Sequence, residues 1–347
     1  MTSKKVAVAM SGGVDSSVTA ALLKKQGFAV EGVFMALAQP DIDRQIARVK
    51  AMAERLGVEL TVIDLQEPFS EKILGYFRDS YFEGLTPNPC VVCNREVKFG
   101  LLMDRALAGG ADFMATGHYV RTSRSDDDGL YHLYKGSDPA KDQSYFLCRL
   151  TQKQLSRVIF PLGEYKKEEV YGLAVKMGLE FTRSEESQDV CFLKDQNVGD
   201  FLAGQEAPVS SPGPVVTAAG RQVGTHPGIH HFTIGQRRGL GIPDATPWYV
   251  IGLDSAENRV IVGKKEELFK SSLRVSEVNW LAGASPGLPL ELEVKIRYRH
   301  PPQAARVEAA GGGAVDVFFA EPQRAITAGQ FAAFYRGDEL LGGGPIE

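Results

Sequence analysis

Residues 6–17 read VAVAMSGGVDSS, and this run restricts the fold more than any other part of the chain. An apolar stretch of strand character, Val6 to Met10, enters Ser11, Gly12 and Gly13, and a helical pattern begins at about Asp15. Two glycines let backbone N–H groups turn toward an anion, and the helix N-terminus behind them adds partial positive charge. A Walker loop would end in Gly-Lys-Ser/Thr, with the lysine reaching the phosphates. Here the corresponding residues are Asp15, Ser16 and Ser17. An acid facing phosphate is repelled unless it caps the helix or holds Mg²⁺, so the loop predicts a metal-bridged polyphosphate bound through backbone and hydroxyl groups. The plainer alternative is a tight strand-to-helix connection.

The sequence beyond the loop repeats the alternation. Strand patterns at Val30–Met35, Leu60–Leu65 and Asp112–Thr116 are separated by helical patterns at Ile42–Leu56, Phe69–Phe82 and Glu96–Leu107, and Lys166–Met177 adds a further helix. This predicts an α/β fold with a doubly wound parallel sheet, whose ligands sit at the carboxyl ends of the strands. Met35 and Gly117-His118 fall at such ends, as the glycine loop does. Residues 204–230 are rich in Pro, Gly and Ser and read as a boundary or a small irregular unit. Past residue 270 the pattern is β: in LELEVKIRYRH, apolar Leu290 to Tyr298 alternate with charged residues, and a small barrel of five or six strands is expected. The predicted units are 1–203, 204–269 and 270–347.

With 44% hydrophobic and 24% charged residues the composition is that of a soluble globular protein. The basic N-terminus is followed by too short an apolar run for a signal peptide or membrane span, so a cytoplasmic protein without a membrane partner is expected. A net charge of −4 argues against nonspecific coating of nucleic acid and leaves room for a local basic groove.

Chemistry concentrates in TPNPCVVCNREVKF, residues 86–99, where a Pro-Asn-Pro turn precedes Cys-x-x-Cys at a helix start. The helix dipole there would lower a thiol pKa and make Cys93 a thiolate. A buried structural cysteine or half of a zinc site are the alternatives, although no second CxxC or HxxxH supplies the other ligands. Cys191 is distant in sequence, and Cys148 reads as a core residue. His118 suits a structural or a functional role equally, and KDQSYFL at 141–147 reads as an exposed turn entering a strand. From Lys295 to Arg306 there are four cations and no acid, with Tyr298 interleaved, which suits phosphate contact plus stacking or a solvated strand face.

Together these motifs resemble a known family. SGGVDSS resembles the signature of the PP-loop ATP pyrophosphatases, and NPCVVCN, ATGHY, KDQSYFL, SQDVCF, GQRRGLGI and the late AGQ together resemble the tRNA-specific 2-thiouridylases. The resemblance implies ATP-dependent 2-thiolation of the wobble uridine of tRNAs for Lys, Glu and Gln, with a PP-loop domain, a small central domain and a tRNA-binding C-terminal β-barrel. It implies ATP binding by Ala9, Met10, Ser11, Gly12, Gly13, Val14, Asp15, Ser16, Met35 and Gly117, with Mg²⁺ on Asp15. Asn88, Pro89 and Cys90 would meet the target base, Cys93 would be the nucleophile, and Cys191 would carry a persulfide. His118, Lys141, Asp142, Gln143, Arg297, Tyr298 and Gln330 would contact tRNA. The implied chemistry adenylates the C2 oxygen, displaces AMP by sulfur, and leaves a Cys93–Cys191 disulfide for cellular thiols to reduce. A sulfur-donor protein or a cysteine desulfurase relay would supply the persulfide. Many members carry Asp where this chain has Cys90, so an alternative has Cys90, Cys93 and Cys191 ligating a [4Fe–4S] cluster. Rival readings are a PP-loop ligase acting on a small molecule and a noncatalytic RNA-binding module.

Overall fold

The computed structural model describes residues 3–179, 181, 190–193, 196–204 and 211–347. Part of the SQDVCF motif, residues 187–189, and part of the Pro/Gly/Ser-rich stretch, residues 205–210, lie outside the described residues.

The first layer is a parallel sheet. β1 (Lys5–Ala9), β2 (Ala29–Ala36), β3 (Leu60–Asp64), β4 (Phe113–Ala115) and β7 (Val158–Ile159) stand in the order β3-β2-β1-β4-β7. The order reverses between β1 and β4, which places a crevice at the carboxyl ends of those two strands. Between β4 and β7 in the chain, β5 (Val120–Arg124) and β6 (Tyr131–Lys135) form an antiparallel hairpin that leaves this sheet. Helix α1 (Val14–Lys25) follows β1, and α2 (Ile42–Leu56) ends at Gly57, whose φ of +58° turns the chain out of the helix.

Two helices run longer than their periodicity predicts. Residues 66–82 and 89–108 are each continuous helix, with wide π turns at Ser70–Gly75 and Asn94–Leu102. A π turn shifts the apolar stripe by a residue, which is why a strict 3.6-residue period cuts both helices short. Gln154 fastens the second one, its Nε2 donating to the carbonyls of Arg95 at 2.8 Å and Phe99 at 3.0 Å.

The central unit is a four-stranded sheet in the order β10-β11-β8-β9. Its strands are β8 (Gly213–Thr217), β9 (Gln222–His226), β10 (Tyr249–Asp254) and β11 (Arg259–Gly263), so the stretch expected to be irregular contains two strands. Val215, Val250, Val260 and Val262 form its core with Ile229 and Phe232.

The C-terminal sheet has nine strands rather than five or six. It comprises β12 (Phe269–Val275), β13 (Asn279–Trp280), β14 (Leu290–Lys295), β15 (Gln303–Gly311), β16 (Ala314–Arg324), β17 (Phe331–Arg336) and β18 (Glu339–Pro345), joined by β6 and β5 through β18. The alternation read through Tyr298 stops being strand after Lys295. Tyr298 turns away to pack on Phe146, with ring centroids 4.4 Å apart.

The hairpin is clasped to β18 by charge. His132 Nδ1 lies 2.6 Å from Glu339 Oε1 and its Nε2 lies 3.2 Å from Asp128 Oδ2, while Arg121 donates to Asp338 at 3.0 Å. The hydrogen bond to Glu339, and after it Asp128, raises the His132 pKa above its ordinary 6.5. A raised histidine stabilises the fold fully below the unfolded-state value and ceases to do so as pH climbs through the folded one. Parent protein is therefore expected to lose urea resistance relative to His132→Gln as pH rises from 6.5 through the raised value. Parallel urea titrations from pH 6 to 9 check this, and a constant difference between the two proteins would exclude it.

Candidate active site

The glycine loop sits at the reversal crevice. Gly13 is the N-cap of α1 without a side-chain cap, and Gly12 has φ +73°. Ser16 Oγ accepts from Ser11 N–H at 3.1 Å and donates to the Gly13 carbonyl at 3.1 Å, which Ser17 Oγ also meets at 2.9 Å. Met10 and Val14 point into the core, so they offer a ligand only their backbone. Gly117 closes the other side: a Cβ there would stand 2.9 Å from the Asp15 carbonyl carbon, closer than real side chains come.

Asp15 is not the helix cap, which is Gly13, but is held by two side chains. Lys167 Nζ donates to both its oxygens, at 2.9 and 2.8 Å, and Tyr119 Oη donates to Oδ1 at 2.7 Å. Lys167 begins the helix Lys167–Lys176, far along the chain, so the cation missing from the loop is delivered by tertiary structure. Sequence reading missed both residues. The signal was the unbalanced acid itself, which requires a partner once half buried.

The cysteine site is built by the helix of residues 89–108 and by Cys191. Cys90, Cys93 and Cys191 are free thiols in mutual electrostatic reach: Cys90 and Cys191 raise the Cys93 pKa, and Cys90 raises that of Cys191. Cys191 also bonds to Gln39, just past the carboxyl end of β2, which places it on the ligand edge of the sheet. The Cys93 thiol is not lowered by the helix dipole. Burial dominates and pushes it up to about 12 and raises Cys90 as well; Cys191 is raised too, although its own surface is exposed. Cys93 closes the first turn of an uninterrupted helix, where the terminal dipole has already faded. Among the described residues, Lys98 pulls all three thiols down, an influence not read from the sequence. Cys148 is fully buried, as its apolar surroundings predict.

Among the described residues, no group of three His, Cys, Asp or Glu side chains is gathered closely enough to hold a metal ion. Cys90, Cys93 and Cys191 are accordingly not gathered as one ligand set, and Asp15 is engaged by Lys167 and Tyr119.

Several residues assigned to RNA have their polar atoms inside the protein. His118 is buried between Phe99 and Phe160, with Nδ1 2.7 Å from Thr116 Oγ1, and burial holds its pKa well below 6.5. KDQSYFL does not enter a strand: Ser144–Leu147 form a 3₁₀ turn with Ser144, Tyr145 and Leu147 buried, and Lys141 and Gln143 are half-buried. Asp142 accepts from the N–H groups of Gly136 and Ser144, both at 3.1 Å, and Gln143 Oε1 accepts from Tyr119 N–H at 3.1 Å. Arg297 donates to the Arg324 carbonyl at 3.3 Å, and Gln330 donates to the loop before the cysteines. A basic surface nonetheless surrounds Tyr298, where Lys295 lies 5.3 Å from the ring, and Lys141 and the exposed Arg299 add charge.

A glycine loop feeding a helix at the reversal of a parallel sheet, with its thiols on the same edge, defines a nucleotide-binding α/β protein of the PP-loop class. The chain matches the family described as tRNA methyl transferase HUP domain over residues 4–195, the tRNA methyl transferase PRC-barrel domain over 199–264, and the aminomethyltransferase β-barrel domain over 270–346. It is 47% identical to the tRNA-specific 2-thiouridylase MnmA of Desulfotalea psychrophila, across 98% of each chain. It is 45% identical to the protein of that name from Carboxydothermus hydrogenoformans, across 99% of this chain and 98% of the relative. The chain belongs to the tRNA-specific 2-thiouridylase family. Among the described residues, no helix is long and apolar enough to cross a membrane.

Proposed function

We propose that this protein replaces the C2 oxygen of the wobble uridine of tRNAs for Lys, Glu and Gln with sulfur, at the expense of ATP, in the cytoplasm. The observation that supports the reading is that Cys93 and Cys191, distant in sequence, are free thiols within electrostatic reach of each other, with Cys191 bonded to Gln39 at the ligand edge of a PP-loop sheet. The backbone of Ser11 to Ser16 receives the phosphates of ATP, which arrives as its Mg²⁺ complex, and Met35 and Gly117 border the nucleotide. The uridine, flipped from the anticodon stack, lies beside Asn88, Pro89 and Cys90.

The C2 oxygen attacks the α-phosphorus, pyrophosphate departs, and the oxygen becomes part of an AMP leaving group. A sulfur-donor protein first loads Cys191 as a persulfide; its terminal sulfur then attacks C2 and expels AMP, linking the base to Cys191 through S–S. Cys93, losing its proton, attacks the Cys191 sulfur and releases the 2-thiouridine. The resulting Cys93–Cys191 disulfide is reduced by cellular thiols. Lys98, which pulls these thiols down, favours the thiolate against the burial that opposes it.

The test is anaerobic incubation with unmodified tRNA, ATP, Mg²⁺ and a persulfide donor, followed by nucleoside analysis. 2-Thiouridine is the expected product. ATP turnover without RNA, intact in a Cys93→Ser/Cys191→Ser variant, would instead indicate a small-molecule ligase. Absence of pyrophosphate release with tRNA and donor present would indicate a noncatalytic RNA-binding module.

A further inference from the structure

The loop that opens the cysteine helix is tied to the C-terminal barrel. Thr86 N–H donates to the Ala328 carbonyl at 2.9 Å, and the Gln330 side chain returns the contact, Nε2 donating to the carbonyls of Thr86 at 2.8 Å and Pro87 at 3.3 Å. Asn88, the N-cap of the cysteine helix, bonds to Tyr145, whose hydroxyl donates to the Phe331 carbonyl at 3.0 Å. Between these contacts Gly329 has φ +87°, and a Cβ there would stand 2.9 Å from both Leu85 Cβ and Thr86 N, so only glycine lets the two segments come this close. The Gln330 backbone is itself fixed, its N–H donating to Thr327 at 3.2 Å and its carbonyl accepting from Ile346 at 2.8 Å.

We infer that Gln330 is a positioning residue for sulfur transfer, setting the place of Cys90 and Cys93 through Thr86 and Pro87. Pro87 and Pro89 flank Asn88 and have fixed φ angles, so a displacement at Thr86 passes on to the cysteine helix instead of being absorbed in the loop. The seat of the C-terminal barrel thereby becomes part of the thiol geometry. This inference rests on the thiolation reading above, and the experiment weighs it against the RNA contact that the family resemblance implies for Gln330.

The experiment compares full-length parent, Gln330→Ala and Gln330→Met, the last keeping bulk without a hydrogen-bond donor. With saturating tRNA and ATP, single-turnover formation of 2-thiouridine is expected to slow by about 10–100-fold in both variants, as sub-ångström misplacement of reacting groups does. The tRNA Kd and pyrophosphate release should stay within about twofold of parent, a split that general loss of structure would not produce. Iodoacetamide labelling without tRNA, mapped by mass spectrometry, should speed up by at least about fivefold at Cys90 and Cys93 and stay near parent at Cys191, since only the first two ride on the tethered loop. A tRNA Kd weakened as much as the rate falls would overturn the inference in favour of an RNA contact. Parent-like rates and labelling would overturn it outright. If the parent itself makes no 2-thiouridine, the thiolation reading fails while the labelling pattern still decides the tether, so the two failures are told apart.

Discussion

Replacing Cys93 with Ser is expected to lower 2-thiouridine formation by at least ~10³-fold while pyrophosphate release in the first turnover stays within about twofold of parent, because adenylation needs no thiol and resolution of the S–S link does. The intermediate should then accumulate. In Cys93→Ser, tRNA is expected to remain bound to Cys191 through a disulfide that dithiothreitol opens, freeing 2-thiouridine. Cys191→Ser should form neither product nor adduct, having lost the sulfur carrier. Denaturing gels of both variants with labelled tRNA, run with and without dithiothreitol, read this directly. Parent-like turnover by Cys93→Ser would place the nucleophile elsewhere, with Cys90 the neighbouring thiol.

The second large effect is at the loop. Asp15→Ala is expected to reduce adenylation by about 10²-fold or more, the scale of losing a preorganised charged group at a phosphoryl site, with tRNA binding nearly unchanged. It should also destabilise the fold, because the Lys167 side chain is only 8% exposed and would lose its ion pair with Asp15. Removing one member of a buried pair costs about 3–5 kcal/mol; with Asp15 33% exposed, roughly 2–3 kcal/mol is expected. Asp15→Asn/Lys167→Met removes both charges and should recover most of the urea resistance without recovering adenylation. If the double variant regains both, the pair is structural and the acid has no part in the phosphate chemistry.

The parallel sheet was legible because its signals are local. Glycine after strand, helical spacing from Ile42 to Leu56, and a stop at Gly57 each act within a few residues. The cysteines stood out by their spacing, but their protonation did not. The dipole argument needs only position on a helix, whereas the Cys93 shift comes from atoms packed around it. The same division explains Lys167, Tyr119 and Lys98, which reach Asp15 or the thiols through packing between segments far apart in sequence. It also explains why Asp142, Gln143 and Gln330 read as surface groups: a polar side chain bonded to buried backbone looks in sequence like one bonded to a ligand.

The hairpin of β5 and β6 has a consequence for how the chain is made. β6 is completed early in synthesis, yet its partner on the sheet is β18, and His132 and Glu339 are separated by 207 residues. At ribosomal speeds of ~5–20 residues per second, the hairpin waits roughly 10–40 s with its outer edge unpaired. An unpaired edge is a template for the wrong neighbour. The charges that later form the clasp, Arg121, Asp128 and His132, lie on or beside that waiting hairpin, where they keep it hydrated and discourage pairing with another nascent chain. The clasp residues thus serve twice, first as a guard during translation and then as the fastening of the finished molecule.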